Sequence, residues 1–155
     1  MVANGIAMFT ATVESMIAAP VVMLCLSYPS SVNMKEIRGA TRVSVELKVA
    51  AENKTALAPT LINGRITDIS ITGAKLELED IIGGVGDEIS IEAPVRIGDI
   101  ERTLNIIAVV RARIDRSTKE LDSQYPAVYG IEFGNLDDDN YLLLHAYVNG
   151  EMAHE

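Results

Sequence analysis

The chain has no tryptophan, one cysteine, two histidines and only 5% aromatic residues in 155 positions. Each scarcity removes a class of explanation. Cys25 alone cannot close an internal disulfide, so a disulfide scaffold is excluded and a reducing, cytoplasmic compartment is expected. It is read as a small buried apolar side chain. His145 and His154 fit neither a catalytic triad nor a metal-ligand spacing. No metal and no cofactor is therefore expected, and the chain is not read as an enzyme. Without large aromatics, the core must come from Val, Ile, Leu, Met and Ala, and the many β-branched residues favour sheet.

Positive charge is also scarce: 13 Lys and Arg stand against 22 Asp and Glu, a net charge of −9. Duplex DNA and anionic membrane surfaces repel such a chain, so neither is an expected partner. The apolar stretch Val2 to Leu26 is interrupted by Glu14 and Pro20, and no Lys or Arg precedes Lys35. A secretory signal needs a basic start, and a spanning helix needs ~20 uninterrupted apolar residues. Neither is expected. A 48% hydrophobic, 23% charged composition is that of a globular domain, and the length allows one domain with a short extension.

Extended segments dominate what is present. Ile6 to Ile17 and Val21 to Ser27, joined through Ala18-Ala19-Pro20, read as an N-terminal β-hairpin over residues 1–33. Tyr28-Pro29-Ser30-Ser31 opens a linker reaching about Ala40. Strands are then expected at Val43 to Lys54, Leu61 to Ser70, Gly73 to Glu79, Glu88 to Val95, Ile100 to Ile114 and Val128 to Phe133. Alternation such as Ala74, Leu76, Leu78 against Lys75, Glu77, Glu79 gives each strand one buried and one wet face. Gly83 to Gly86 lacks the Lys-Ser/Thr of a phosphate loop and reads as a turn. Strands separated by such turns suggest a barrel or sandwich. Asp137, Asp138 and Asp139 then begin a helix that Gly150 should stop, leaving 151–155 as a tail; the three carboxylates cap it rather than hold a metal.

Two motifs carry chemistry. Arg38-Gly39-Ala40-Thr41-Arg42 places two arginines four residues apart, a pattern expected by chance roughly 0.4 times in this composition. Asp68-Ile69-Ser70-Ile71-Thr72-Gly73 is an Asp-x-Ser-x-x-Gly turn, expected roughly 0.04 times. An antiparallel hairpin of Val43 to Lys54 with Leu61 to Ser70 brings Arg42 and Asp68 together, because paired strands lie ~4.8 Å apart. Guanidinium groups suit phosphate oxygens, the O6/N7 edge of guanine and the flat face of a base. Asp68 can accept from the N1–H and N2–H₂ donors of guanine, Ser70 offers a hydroxyl, and Gly73 permits positive φ and close backbone approach. Cations beside a guanine-reading acid imply an anionic guanine nucleotide. Arg65, Arg111 and Arg113 read as exposed strand residues.

At these residues, from about Lys35 to Gly150, the sequence resembles the PilZ family of cyclic di-GMP receptors. The likeness includes both motifs, the Gly86-Asp87 turn and Tyr129-Gly130-Ile131-Glu132-Phe133. It implies a mainly β fold, a six-stranded antiparallel β-barrel with a C-terminal helix over 34–150. It also implies that Arg38, Arg42, Asp68, Ser70 and Gly73 bind cyclic di-GMP. The opening hairpin looks like the remnant of an upstream domain in flagellar-brake-type relatives, and Ile37 stands where many of those carry another basic residue. With that cation missing, one ligand per chain is expected. The function implied is a receptor that passes a conformational change through the linker to a downstream protein partner; the alternative is a PilZ-like adaptor that binds no nucleotide. The apolar hairpin suggests a homodimer.

Overall fold

Period-two alternation makes the strands of this protein, and the closed sheet they form makes its core. The computed structural model describes residues 5–36, 40–115 and 124–154. The chain divides into two compact units, Met1–Gly39 and Ala40–Glu155.

In the first unit, β1 (Gly5–Met8), β2 (Val13–Ile17), β3 (Met23–Leu26) and β4 (Asn33–Glu36) form two antiparallel pairs. β2 and β3 are the expected hairpin, turning through a cis Ala19–Pro20 bond. Ser27 and Thr12 clamp its base: the Ser27 N–H donates to the Thr12 carbonyl at 2.8 Å, and the Thr12 N–H donates to Ser27 Oγ at 2.9 Å. The single strand expected over Ile6 to Ile17 is thus two strands. β1 pairs instead with β4, Gly5 opposite Glu36 and Met8 opposite Asn33, inside the segment expected to be linker. Cys25 is half-buried rather than buried.

The second unit is a closed six-stranded antiparallel barrel. β5 (Val43–Asn53), β6 (Leu61–Ile69), β7 (Gly73–Leu78), β8 (Glu88–Ile97), β9 (Ile100–Arg113) and β10 (Ala127–Phe133) follow the order β10-β7-β6-β5-β8-β9, and β9 pairs with β10 to close it. Inward positions such as Val49, Ile66, Leu76, Ile91, Ile106 and Ile131 fill the interior, while the residues between them on β8 and most of β9 face water. Tyr129 is fully buried, and its hydroxyl reaches the β7–β8 loop, accepting from the Ile82 N–H and donating to the Gly83 carbonyl, both at 3.3 Å. Asn53 and Asp87 hold that loop from the other side, their side chains 3.0 Å apart. The glycine-rich segment is a turn, as read.

The helix α1 (Asp138–Ala153) packs on β8, β9 and β5 through Leu144, Tyr147 and Val148. Asp137 is its N-cap, accepting from the Asn140 N–H at 2.8 Å. That bond holds the Asp137 carboxyl below its ordinary value of 3.8. Burial, and secondarily the Glu151 carboxylate, push the Tyr147 hydroxyl up to about 12. Gly150 does not stop the helix, which runs on to Ala153. A helical glycine costs about 1 kcal/mol relative to alanine, and Met152 beyond it still packs against the core. No helix among the described residues is long and apolar enough to cross a membrane.

Candidate functional site

The β5–β6 hairpin delivers what its pattern promised. Val43 pairs with Ile69 and Ser44 with Asp68, so the open end of the hairpin carries Arg42 on one strand and Asp68 on the other. Arg42 Nη1 lies 3.8 Å from Asp68 Oδ2, with both side chains partly solvated. That separation is too long for a hydrogen bond, and a solvated pair contributes little to stability. Either group can turn to a ligand at small cost.

Irregular pairing surrounds Asp68. Thr67 is an extra residue in β6 relative to β7, and the β5–β6 register shifts opposite it, between Ser44 and Leu47. Bulges re-aim side chains at the rims of barrels. Here Thr67 Oγ1 and Asp68 Oδ1 are both buried and accept no hydrogen bond among the described residues. An unpaired buried carboxylate oxygen carries a desolvation penalty that a donor would remove.

The turn that follows is tight and internally satisfied. The Ser70 N–H donates to the Gly73 carbonyl at 2.8 Å. Ser70 Oγ is buried and accepts from the Thr72 and Gly73 N–H groups at 3.2 Å each. Its proton can go to the Gly73 carbonyl or Thr72 Oγ1, both also at 3.2 Å. Ser70 therefore builds the turn rather than offering a free hydroxyl. Gly73 does not use positive φ; among the described glycines that conformation belongs to Gly86 and Gly98. Its requirement is steric, because a Cβ there would collide with the Ile131 carbonyl on β10. Arg38 lies outside the described residues, so the geometry of the arginine pair rests on Arg42.

Other cations are placed away from or beside this mouth. Arg65 is half-buried rather than exposed: its Nε lies 2.9 Å from Oε2 of the buried Glu77, and its guanidinium carbon lies 4.7 Å from the centre of the Tyr125 ring. Arg111 is exposed and bonds Glu132 at 2.9 Å. Lys75 was passed over in the sequence, yet it is the register partner of Asp68 and the neighbour of Gly130 on β10. Its signal was available, since a turn of Ser70 to Gly73 necessarily sets Lys75 opposite Asp68. A hollow of about 230 Å³ lies at the other end of β5, lined by Glu52, Glu92, Leu136 and Asp137 among others, and none of the motif residues touches it.

The barrel and this mouth define a small β-barrel domain with a cation and a carboxylate converging at one hairpin end. The chain belongs to the PilZ domain family, whose model matches residues 33–150. No curated protein sequence matches. Among solved structures, the Bacillus subtilis inhibitor of motility MotI/DgrA superposes with a TM-score of 0.68 at 16% identity, covering 96% of this chain and 68% of that one. The PilZ domain of YcgR from Escherichia coli, solved with c-di-GMP, gives 0.56 at 16% identity, covering 76% and 92%. MrkH, described as a c-di-GMP-dependent transcription regulatory factor, gives 0.52 at 14% identity, covering 96% and 65%. At these identities the likeness is one of fold.

Proposed function

We propose that this chain is a receptor for cyclic di-GMP that signals to a downstream protein and is not itself an enzyme. The observation that carries the reading is the Arg42–Asp68 mouth, a loosely paired guanidinium beside a carboxylate with one buried, unpaired oxygen. Guanine N1–H and N2–H₂ supply the donors that Asp68 lacks, and the arginines take phosphate oxygens or the O6/N7 edge. The Ser70–Gly73 turn is held by its own hydrogen bonds with its backbone close against β10. Membership in the PilZ family and the c-di-GMP held by the YcgR domain support the same ligand. Arg38 would supply the second guanidinium. Calorimetry tests the reading: cyclic di-GMP should bind far more tightly than cyclic di-AMP or GTP, with one ligand per chain because Ile37 adds no third cation. Equal affinity for the adenine dinucleotide, or no binding, overturns it; the latter leaves the adaptor reading.

A further inference from the structure

One row of outward-facing residues crosses the barrel from the Arg42–Asp68 mouth. Ser44 on β5 pairs with Asp68 on β6, Asp68 with Lys75 on β7, Lys75 with Gly130 on β10, and Gly130 with Ala112 on β9. Ala74 and Leu76, on either side of Lys75, are buried in the core, so Lys75 points outward on the same side as Asp68. Register partners hold their Cβ atoms about 5 Å apart, close enough for an ion pair. None forms here. Among the described residues Lys75 has no hydrogen-bond or ion-pair partner, although Asp68 Oδ1 beside it is buried and accepts nothing. The cation that approaches Asp68 is instead Arg42, from the opposite strand.

The far side of Lys75 is open. A glycine within a strand forfeits side-chain packing and commonly marks a bulge or the close approach of a ligand or another backbone. A register shift does follow Gly130, but its φ is not positive, so that irregularity accepts other residues. No backbone crowds it either, since an added Cβ would meet only the Ala112 methyl group, at an ordinary 3.7 Å. Lys75 therefore stands between an unsatisfied carboxylate and two small residues, Asp68 on one side and Gly130 and Ala112 on the other. That arrangement leaves space for a flat ring over the row.

We propose that Lys75 is a specificity-determining residue of the ligand site: Asp68 accepts from N1–H and N2–H₂ of one guanine while the Lys75 ammonium donates to O6 of the same base. The inference rests on the cyclic di-GMP reading and adds the second half of base recognition to it. The Watson–Crick edge of guanine presents two donors and then an acceptor, and an acid beside a cation in one row is its complement. Adenine presents an acceptor at N1 and a donor at N6, so it sets like against like at both positions, a mismatch that rejects as well as fails to attract. With O6 taken by Lys75, both guanidinium groups remain for phosphate oxygens, which suit their fork of donors.

Calorimetry of wild type and Lys75→Met against cyclic di-GMP, its 6-thioguanine analogue and its hypoxanthine analogue tests the proposal. Sulfur at position 6 is a weak acceptor, whereas hypoxanthine keeps O6 and lacks only the amino group. Wild type should bind the thio analogue about 10-fold or more weakly than cyclic di-GMP. Lys75→Met should bind cyclic di-GMP about 10-fold more weakly than wild type does and no longer distinguish oxygen from sulfur. It should still discriminate against hypoxanthine as wild type does, because that contact belongs to Asp68. Its urea unfolding midpoint should stay at the wild-type value, since no partner within the chain is lost. A variant that separates oxygen from sulfur as well as wild type overturns the proposal; equal weakening of all three ligands is such a result and would make Lys75 a phosphate contact. Wild type that binds no cyclic di-GMP overturns the receptor reading itself, and this inference with it.

Discussion

Asp68 faces Arg42 across the open end of the β5–β6 hairpin at 3.8 Å, close enough to share a ligand and too far to satisfy one another. Arg42→Ala should therefore weaken cyclic di-GMP binding by about 10- to 150-fold, the loss of charge-assisted hydrogen bonds of ~1.5–3 kcal/mol. Its unfolding midpoint should scarcely move, since a solvated ion pair contributes little. Titration and urea denaturation of the same preparation check both halves, and a variant that unfolds early would show the arginine to be structural.

Asp68→Asn separates recognition from charge. The amide keeps the size of the side chain but puts donors where guanine also presents donors. Selectivity over the adenine dinucleotide should fall, while stability should be unchanged or slightly higher because a buried, unpaired carboxylate oxygen is removed. Competition between the two dinucleotides measures it; undiminished selectivity would move guanine reading to another residue.

Ser70 and Gly73 should behave as structural members of the same motif. Ser70→Ala leaves the Thr72 and Gly73 N–H groups without the hydroxyl they now bond, at a cost of about 1–3 kcal/mol. Gly73→Ala drives a methyl group into the Ile131 carbonyl, a backbone atom of the β7–β10 ladder that cannot rotate away. Overpacking of this kind costs about 1–3 kcal/mol. Denaturant midpoints should fall in both variants, with affinity falling alongside. Weakened binding at full stability would mean that Ser70 contacts the ligand directly.

Period two located the strands and gave each a wet and a buried face, as in Val43 to Asn53 and Glu88 to Ile97, but it left barrel or sandwich open, and the six-stranded barrel came from the family resemblance. The pairing of Gly5 with Glu36 was invisible, since nothing local in β1 or β4 specifies a partner some thirty residues away. The pattern marked Ser70 and Gly73, and close backbone approach at Gly73 was legible, whereas the positive φ and the free hydroxyl read beside it were not what the turn uses. The serine hydroxyl bonds within its own turn, and the glycine makes room for the Ile131 carbonyl on β10. Arg65 and Glu77 face each other only because the β6–β7 register shifts at Thr67, which no spacing rule encodes.

Acid stability should carry the signature of the helix cap. The hydrogen bond from Asn140 lowers the Asp137 carboxyl below its ordinary 3.8. A carboxylate favoured in the folded state adds stability that is fully present above the unfolded value and is lost as pH falls through the lower folded one. Asp137→Asn keeps a good capping residue but removes this titration. Thermal melts at neutral pH and below 3.8 should show a smaller acid-side loss in the variant than in wild type; identical slopes would rule out the cap as a source of acid sensitivity.

The last expectation concerns the response of the segment before β5 to the ligand. Arg38 lies in sequence between β4 and β5, and Arg42 lies at the edge of β5, so a ligand held by both guanidinium groups would restrain the chain that joins them. A ligand shifts an equilibrium only by its differential affinity for the two states, so the Arg38 contact is what would transmit binding beyond the barrel. The β1–β4 ladder gives Asn33 to Glu36 backbone partners without any ligand. Ligand-dependent protection from hydrogen exchange should therefore concentrate between Gly39 and Thr41, with little change in β4. Arg38→Ala should weaken binding and also abolish that protection in the complex that still forms at saturation. If protection rises equally in wild type and Arg38→Ala, the arginine is a binding residue only and the signal leaves the barrel by another route. If it rises in neither while the ligand binds, the segment does not respond and the receptor signals without it.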